Sequence, residues 1–165
     1  MMQKKFLLLV VALFGVFTVL LFARSVNKDP VESRYIQKVE EELVDQNYKV
    51  EREQEAKWLL KNKANQPEGF AYLGKAQGYA DKIIILVITD LKRQIQDISV
   101  IKHTETPSYF QRLVDNRFFD QFIGKDPANI GEQDDIDNVS GATITCEAIL
   151  HAIENAYRRG EGNSD

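Results

Sequence analysis

The segment that decides the fold is a tight corner of small and hydroxyl residues near the end of the chain, Asp137-Asn138-Val139-Ser140-Gly141-Ala142-Thr143-Ile144-Thr145. Apolar residues at helical spacing begin inside this corner and continue after it, at Ile144, Ala148, Ile149, Ala152, Ile153 and Ala156. The spacing predicts a helix with one apolar face. Arg158 and Arg159 suit its last turn, and Gly160 is a typical stop.

The start of this helix has two interpretations that the residues alone leave open. The first N–H groups of a helix lack intrahelical acceptors and lie at the positive end of its dipole, so they attract anions, most often phosphate. Gly141 and Ala142 would let such a ligand approach the backbone closely. In the alternative interpretation, Ser140 or Thr143 simply caps the helix through its hydroxyl group.

The pattern Asp137-x-x-Ser140-Gly141-Ala142-Thr143 resembles the flavinylation motif of the FMN-binding domain family. That family includes the G subunit of Rnf complexes and the C subunit of the sodium-pumping NADH:quinone reductase. The resemblance implies that FMN is joined covalently, through a phosphoester bond, to Thr143. It also implies a separate flavin transferase that uses FAD as donor and recognises the segment containing Asp137. A phosphate on Thr143 would lie at the helix N-terminus, where its charge is favoured.

The resemblance extends over roughly residues 70–157 and rests on several further landmarks. These are Gly78-Tyr79 before an apolar strand, Glu105-Thr106-Pro107 after the next strand, and Phe119-x-x-Phe122-x-Gly124. It implies that residues near the motif and in the Glu-Thr-Pro segment bind the cofactor together with Thr143, namely Ser140, Gly141, Ala142, Thr145, Glu105 and Thr106.

The chain departs from the family pattern directly after Pro107. The family usually continues with Gly-Leu-Gly, whereas this chain has Ser108-Tyr109-Phe110. The glycines that would allow close backbone approach to a flavin ring are therefore absent. We expect Tyr109 or Phe110 to stack on the ring instead, since aromatic side chains stack favourably on flat ring systems.

The middle of the chain predicts an antiparallel sheet. Residues 82–89 form a continuous apolar run rich in β-branched residues, which is typical of a strand covered on both faces. A short turn separates it from a second strand at residues 94–102, so the two strands form a hairpin. An earlier short strand at residues 70–73 is expected to break at Gly74 and again at Gly78. Strands followed by helices indicate an α+β fold.

The remaining segments give weaker signals. Residues 31–46 predict a helix, because Val31, Tyr35, Val39 and Leu43 fall on one face. Residues 47–60 suit either a strand or a helix, and residues 61–69 form a turn. Phe118, Phe119, Phe122 and Ile123 predict a short helix with core aromatics, followed by a polar loop at residues 124–136.

Residues 6–23 contain no charged side chain. Eighteen residues of helix span roughly 27 Å, close to the hydrocarbon thickness of a bilayer, so this segment predicts a single transmembrane helix. A cleaved signal peptide is the alternative, although its apolar core is normally shorter. Lys4 and Lys5 precede the segment and Arg24 and Lys28 follow it, so the flanking charges are nearly balanced. The free amino terminus together with Lys4 and Lys5 favours a cytoplasmic N-terminus. The domain would then lie on the extracytoplasmic side of the cytoplasmic (inner) membrane, as the resemblance also implies.

Charge and cysteine content exclude several classes of function. Residues 30–165 carry 17 basic and 24 acidic side chains, which argues against binding to nucleic acid or to an anionic lipid surface. Cys146 is the only cysteine, so an internal disulfide and a cysteine-ligated metal cluster are excluded. Asp134, Asp135 and Asp137 lack the glycine and distal glutamate of a calcium loop, and no metal site is predicted.

These observations predict an α+β protein with a membrane anchor and linker at residues 1–29, a helical stalk and lead-in at 30–69, and an FMN-binding domain at 70–165. The resemblance implies a flavoprotein that transfers electrons with other membrane redox subunits, as in an Rnf-type complex, rather than an independent catalyst. Three alternatives stay open. They are a stand-alone extracytoplasmic flavin carrier for another reductase, a non-redox binding module without flavin, and a purely structural subunit.

Overall fold

The computed structural model of the protein describes residues 30–131 and 136–162. The predicted membrane anchor at residues 6–23 lies outside these residues. Within the described part of the chain, no helix is long and apolar enough to cross a membrane. The chain divides into two units, residues 1–34 and 35–165, and the architecture below is that of the second unit.

Five strands and three α-helices make up the described architecture. In chain order the elements are α1 Pro30–Asp45, β1 Lys49–Gln54, β2 Lys57–Lys61, β3 Pro67–Gln77, β4 Lys82–Asp90, β5 Ile95–Lys102, α2 Pro107–Asp115, a 3₁₀ helix Phe118–Phe122, and α3 Thr143–Gly160. The strands form one antiparallel sheet in the order β1-β2-β3-β4-β5, so each strand pairs with its neighbour in sequence. The predicted α+β class, antiparallel hairpin and long C-terminal helix are confirmed.

Strand β4 divides the core into two layers. Its residues alternate between the faces of the sheet, and Ile83 to Ile88 are all at most 7% exposed. On one face Ile83, Ile85 and Val87 share a cluster with Ala148, Ile149, Ala152 and Ile153 of α3. On the other face Ile84, Leu86 and Ile88 share a cluster with Ile36, Val39 and Leu43 of α1. The prediction of a strand covered on both sides is therefore confirmed.

The N-terminal part of the sheet includes residues whose pattern is ambiguous in the sequence. Residues 47–60 supply β1 and most of β2, which pair antiparallel with a register shift between Arg52 and Gln54. Helix α1 confirms the helix predicted at residues 31–46, and its Val39 and Leu43 are fully buried. Strand β3 crosses residues 69 and 70, so the sheet joins the predicted lead-in segment to the predicted domain.

Two glycines, Gly74 and Gly160, allow α3 to pack closely against the sheet. Gly74 does not end the strand, because β3 continues to Gln77. A Cβ atom on Gly74 would lie 2.0 Å from the carbonyl oxygen of Ala152 in α3. Helix α3 ends at Gly160, as predicted, and a Cβ there would lie 2.4 Å from the ring of Tyr72. The prediction for Gly74 is wrong because contact between a helix and a sheet is invisible to local sequence rules.

The C-terminal end of α3 is fixed to the sheet by a cluster of charged and aromatic groups. Lys57, only 9% exposed, donates to Glu161 at 2.8 Å and lies 4.5 Å from the ring centroid of Phe70. The Tyr72 hydroxyl donates to the same Glu161 oxygen at 3.1 Å. Partial burial alone would raise the pKa of Glu161, but the Lys57 ammonium and the Tyr72 hydroxyl together hold that pKa below its usual value.

We expect Gly74→Ala to lower the free energy of unfolding by about 3 kcal/mol, because the added methyl group overpacks a rigid backbone contact. Gly124→Ala is the control, since Gly124 has φ +79° but nothing within 4 Å of its Cβ position. It should cost only about 1–2 kcal/mol of backbone strain. Urea unfolding followed by circular dichroism measures both. Equal losses would show that α3 does not press on Gly74.

The charged cluster makes a second prediction, on pH dependence. A carboxyl group with a lowered folded pKa stabilises the fold above its unfolded pKa, and the stabilisation is lost as pH falls through the folded pKa. Glu161→Gln should therefore destabilise the protein by about 1 kcal/mol at pH 7. The difference should shrink as pH falls below about 4.3, the ordinary pKa of a glutamate, and should vanish once the pH is below the lowered folded pKa. Urea unfolding at several pH values measures it, with exposed Glu68→Gln as control. A difference unchanged down to pH 3 would refute the linkage.

Candidate functional site

The corner before α3 is a tight turn held by backbone bonds. The N–H of Ala142 donates to the carbonyl of Val139 at 2.9 Å, and the N–H of Cys146 donates to the carbonyl of Ala142, also at 2.9 Å. Gly141 has φ +78°, a conformation that favours glycine. The Cys146 sulfur accepts the N–H of Val139 at 3.4 Å. Burial raises the pKa of the Cys146 thiol, so this cysteine is a neutral packing group.

The first turn of α3 keeps its N–H groups free of side-chain caps. Ala142 is the N-cap residue, and neither Ser140 nor any other described side chain caps the helix. The capping interpretation is therefore wrong. Ser140 and Thr143 are both exposed, and no acidic residue lies in the first turn. An accessible hydroxyl at Thr143 thus stands at the start of a helix whose first turn has no side-chain cap.

Two polar side chains from earlier elements hold the corner from outside. The amide of Gln121 accepts the N–H of Asp137 at 2.8 Å and donates to the carbonyl of the same residue at 3.1 Å. Arg112 of α2 donates from Nη1 to the carbonyl of Ser140 at 3.2 Å. Sequence reasoning missed both residues, because they lie 16 and 28 positions before their partners and no local pattern marks them.

An open depression of about 570 Å³ adjoins the corner. Its lining is mostly polar and consists of Arg112, Asn116, Gln121, Asp137, Asn138, Val139 and Ser140. The side chain of Asp137 lies at this surface while its backbone is fixed by Gln121. The predicted recognition residue is therefore exposed and held in place. Asp134 and Asp135, its acidic neighbours in the sequence, lie outside the described residues.

A buried carboxylate joins three segments below the corner. Glu105 is 3% exposed and Thr145 is 2% exposed, and the Thr145 hydroxyl donates to Glu105 Oε2 at 2.7 Å. The other oxygen, Oε1, accepts the N–H of Ala80 at 3.1 Å. A Cβ on Gly78 would lie 2.5 Å from that oxygen. The structure brings Glu105 and Thr145 together, and their polar atoms bind each other and the β3–β4 turn. Their assignment as cofactor-binding residues stays a prediction.

The segment after Glu105 begins α2. The carbonyl of Thr106 accepts the N–H groups of Tyr109 and Phe110 at 2.9 and 3.1 Å, and Thr106 itself is exposed. The Phe110 ring stacks on His103 with centroids 3.8 Å apart and planes 11° apart. One face of Phe110 is therefore already covered, whereas Tyr109 remains 39% exposed. Of the two aromatic residues expected to stack on a ring ligand, Tyr109 is the one left accessible.

Two further exposed apolar side chains flank the site. Ile144 follows Thr143 and is 53% exposed, although the sequence pattern predicts it on the buried face. Tyr79 is 64% exposed and precedes Ala80, which binds Glu105. Large exposed apolar side chains that cluster on a surface often mark a binding site. The sequence does not reveal that Ile144 is exposed, because its helical spacing is that of a core residue. Spacing alone does not show where the layer that packs against α3 ends.

Comparison with known proteins indicates the same family as the motif does. Residues 78–158 match the family model of the FMN-binding domain. The chain is 26% identical over 111 residues to the G subunit of the proton-translocating ferredoxin:NAD(+) oxidoreductase complex of Clostridium ljungdahlii, a match covering 62% of this chain. This chain spans 58% of the length of that relative. The predicted resemblance is confirmed.

A solved structure is similar in fold. The crystal structure of NqrC from Shewanella oneidensis matches with a TM-score of 0.52 at 20% sequence identity, covering 65% of this chain and 57% of that one. At this level of identity the match supports the α+β fold and not a shared activity.

The buried carboxylate makes a prediction about stability. Thr145→Val keeps the side-chain shape but leaves Glu105 Oε2 buried without its hydroxyl donor, so we expect a loss of about 1–3 kcal/mol in the free energy of unfolding. Thr104→Val is the control, because Thr104 is exposed in the same loop and should change stability by less than about 0.5 kcal/mol. Urea unfolding of the two variants compares them. Equal losses of stability in the two variants would show that the bond between Thr145 and Glu105 does not stabilise the site.

Proposed function

Because residues 78–158 belong to the FMN-binding domain family, we propose that this chain is an electron-transfer flavoprotein that holds FMN through a phosphoester bond to Thr143. One observation carries the proposal: Thr143, the last residue of the family motif, is exposed and begins the uncapped helix α3. Bound FMN supplies the capacity to accept electrons in pairs and to release them one at a time.

The residues of the corner fit an ester phosphate. Thr143 offers an accessible hydroxyl, and the first N–H groups of α3 have no competing side-chain acceptor within the described chain. Such groups favour a negatively charged phosphate through hydrogen bonds and the helix dipole. The absence of a Cβ atom at Gly141 leaves room for the Arg112 guanidinium beside the turn. Ala142 is buried and Glu105 fixes the first turn through Thr145, so the acceptor hydroxyl is held on a rigid base.

Attachment is a phosphoryl transfer that leaves oxidation states unchanged. The Thr143 oxygen forms a bond to the FMN phosphorus of FAD while the pyrophosphate P–O bond breaks. AMP leaves with the bridging oxygen, and the hydroxyl proton passes to solvent or to a base of the transferase. In this scheme Asp137 contributes to recognition by the transferase. Its exposure and the two bonds from Gln121 to its backbone support that role.

The exposed apolar side chains beside Thr143 give the flavin ring a surface. Ile144 follows Thr143, Tyr79 precedes Ala80, which binds Glu105, and Tyr109 comes four residues after Glu105; all three side chains are exposed. Aromatic and aliphatic side chains pack favourably on a flat ring system. An accessible ring suits a carrier, since its redox partners must approach closely. This chain would thus bind and orient the flavin and leave substrate chemistry to its partners.

The redox partners proposed for this chain are other subunits of a membrane complex. The relative from Clostridium ljungdahlii is by name a subunit of a ferredoxin:NAD(+) oxidoreductase complex. We assign residues 6–23 as a single-pass anchor in the inner membrane, with the domain on the extracytoplasmic side. A membrane tether raises the effective concentration of donor and acceptor around the domain.

Intact mass spectrometry tests the proposal. Protein produced together with a flavin transferase should gain about 438 Da, the mass of FMN less one water, and Thr143→Ala should abolish the gain. Thr104→Ala is the control, because it removes an exposed threonine hydroxyl outside the motif and should leave the added mass in place. Protein produced without the transferase should show no added mass.

Two results would contradict the proposal. One is an unmodified wild-type mass when an active transferase is present, and the other is retention of the added mass in Thr143→Ala. Flavin fluorescence that persists on a denaturing gel would exclude a binding module that has kept the fold without its cofactor.

A further inference from the structure

We propose that Arg112 is a positioning residue of this site: it fixes the turn that precedes Thr143, and its guanidinium group faces the phosphate of the ester. The inference rests on the FMN ester proposed above. It assigns a specific counter-charge to that ester, supplied by α2 and not by the motif that carries the threonine.

The contact between Arg112 and the corner is close. Nη1 of Arg112 donates to the carbonyl of Ser140 at 3.2 Å. A Cβ atom on Gly141 would lie 2.7 Å from the same nitrogen and 3.5 Å from the guanidinium carbon. The guanidinium group therefore occupies the space that any side chain at position 141 would need. Gly141 is required here for two reasons, its positive φ and the presence of Arg112.

Thr143 follows closely after the turn that this group contacts. Two Cα–Cα steps of about 3.8 Å separate Gly141 from Thr143, so their Cα atoms are at most about 7.6 Å apart. A guanidinium group has five N–H donors in a planar fork, and within the described chain Arg112 uses one of them on Ser140. The remaining donors are available to an oxygen on the Thr143 side of the turn. Such forks suit phosphate oxygens.

The charge balance around the corner favours the same assignment. Arg112 is the only basic residue among those that line the depression, and Asp137 is the only acidic one. The region from residue 30 onward has more acidic than basic side chains, so an added phosphate charge is disfavoured by the protein as a whole. The ester keeps one negative charge. A cation fixed beside it offsets the repulsion, and charge-assisted bonds are the stronger class of hydrogen bond.

A purely structural role for Arg112 makes a different prediction from a phosphate-facing role. If Arg112 only holds the Ser140 carbonyl, its substitution lowers the free energy of unfolding equally with and without FMN. If Arg112 also binds the phosphate, the substitution lowers the free energy of unfolding more in the FMN-loaded protein. Comparison of the two forms therefore isolates the phosphate contact, as a double-mutant cycle isolates a pair interaction.

The experiment measures urea unfolding of wild type and Arg112→Gln, each with FMN attached and each produced without the transferase. We expect the unfolding equilibrium constant to rise about tenfold more in the loaded pair than in the unloaded pair at low salt. The difference should shrink as salt is raised, because exposed charges are screened. Arg112→Lys should recover part of the difference, because it keeps the charge but loses the planar fork.

Arg117→Gln is the matched control. Arg117 is an exposed arginine in the same part of the chain, and its guanidinium pairs with Asp120. Its substitution should affect loaded and unloaded protein equally. Equal effects of Arg112→Gln on the two forms would overturn the phosphate contact. An unmodified wild-type mass would instead overturn the proposed FMN ester itself, and this is seen before any arginine variant is compared.

Discussion

The arrangement of the site depends on how closely α3 packs against the sheet. The contact is made by small residues on both sides, with Gly74 of β3 against the backbone of Ala152 and Gly160 against the ring of Tyr72. Apolar burial alone would tolerate several positions of a helix on a sheet, since the hydrophobic effect is not directional. A contact without side chains between two backbones permits far fewer. The position of α3, and with it that of Thr143, follows from this constraint.

The two ends of α3 differ in their side-chain contacts, and this difference affects which end can bind a ligand. At the C-terminal end, Lys57, Tyr72 and Glu161 form a partly buried cluster that fixes the helix to β2 and β3. At the N-terminal end, no described side chain caps the helix, although a cap typically contributes about 1 kcal/mol. Stability gained at one end allows the other to keep N–H groups available to a ligand. The buried bond between Thr145 and Glu105 then limits the motion of that uncapped end.

The sequence predicts those parts of the structure that follow from local pattern. The apolar run in β4, the hairpin to β5 and the apolar face of α3 each depend on residue spacing within one element. The prediction for Gly74 is wrong because a glycine inside a strand looks like a break, whereas its role is to admit a helix encoded about 80 residues later. Ile144 has the spacing of a core residue, yet it is exposed. Arg112 and Gln121 could not be found, since only the folded chain brings them to the corner.

The segment Ser108-Tyr109-Phe110, which stands where the family usually has Gly-Leu-Gly, contributes to the support of the site. A glycine pair would leave this segment flexible and close to a ligand. Here the segment forms the first turn of α2, and Phe110 packs on His103 at the end of β5. Leu113, one turn further on, is fully buried. These apolar contacts fix α2 in place, and α2 carries Arg112 to the carbonyl of Ser140. Helix α2 therefore holds the turn before Thr143 from the other side.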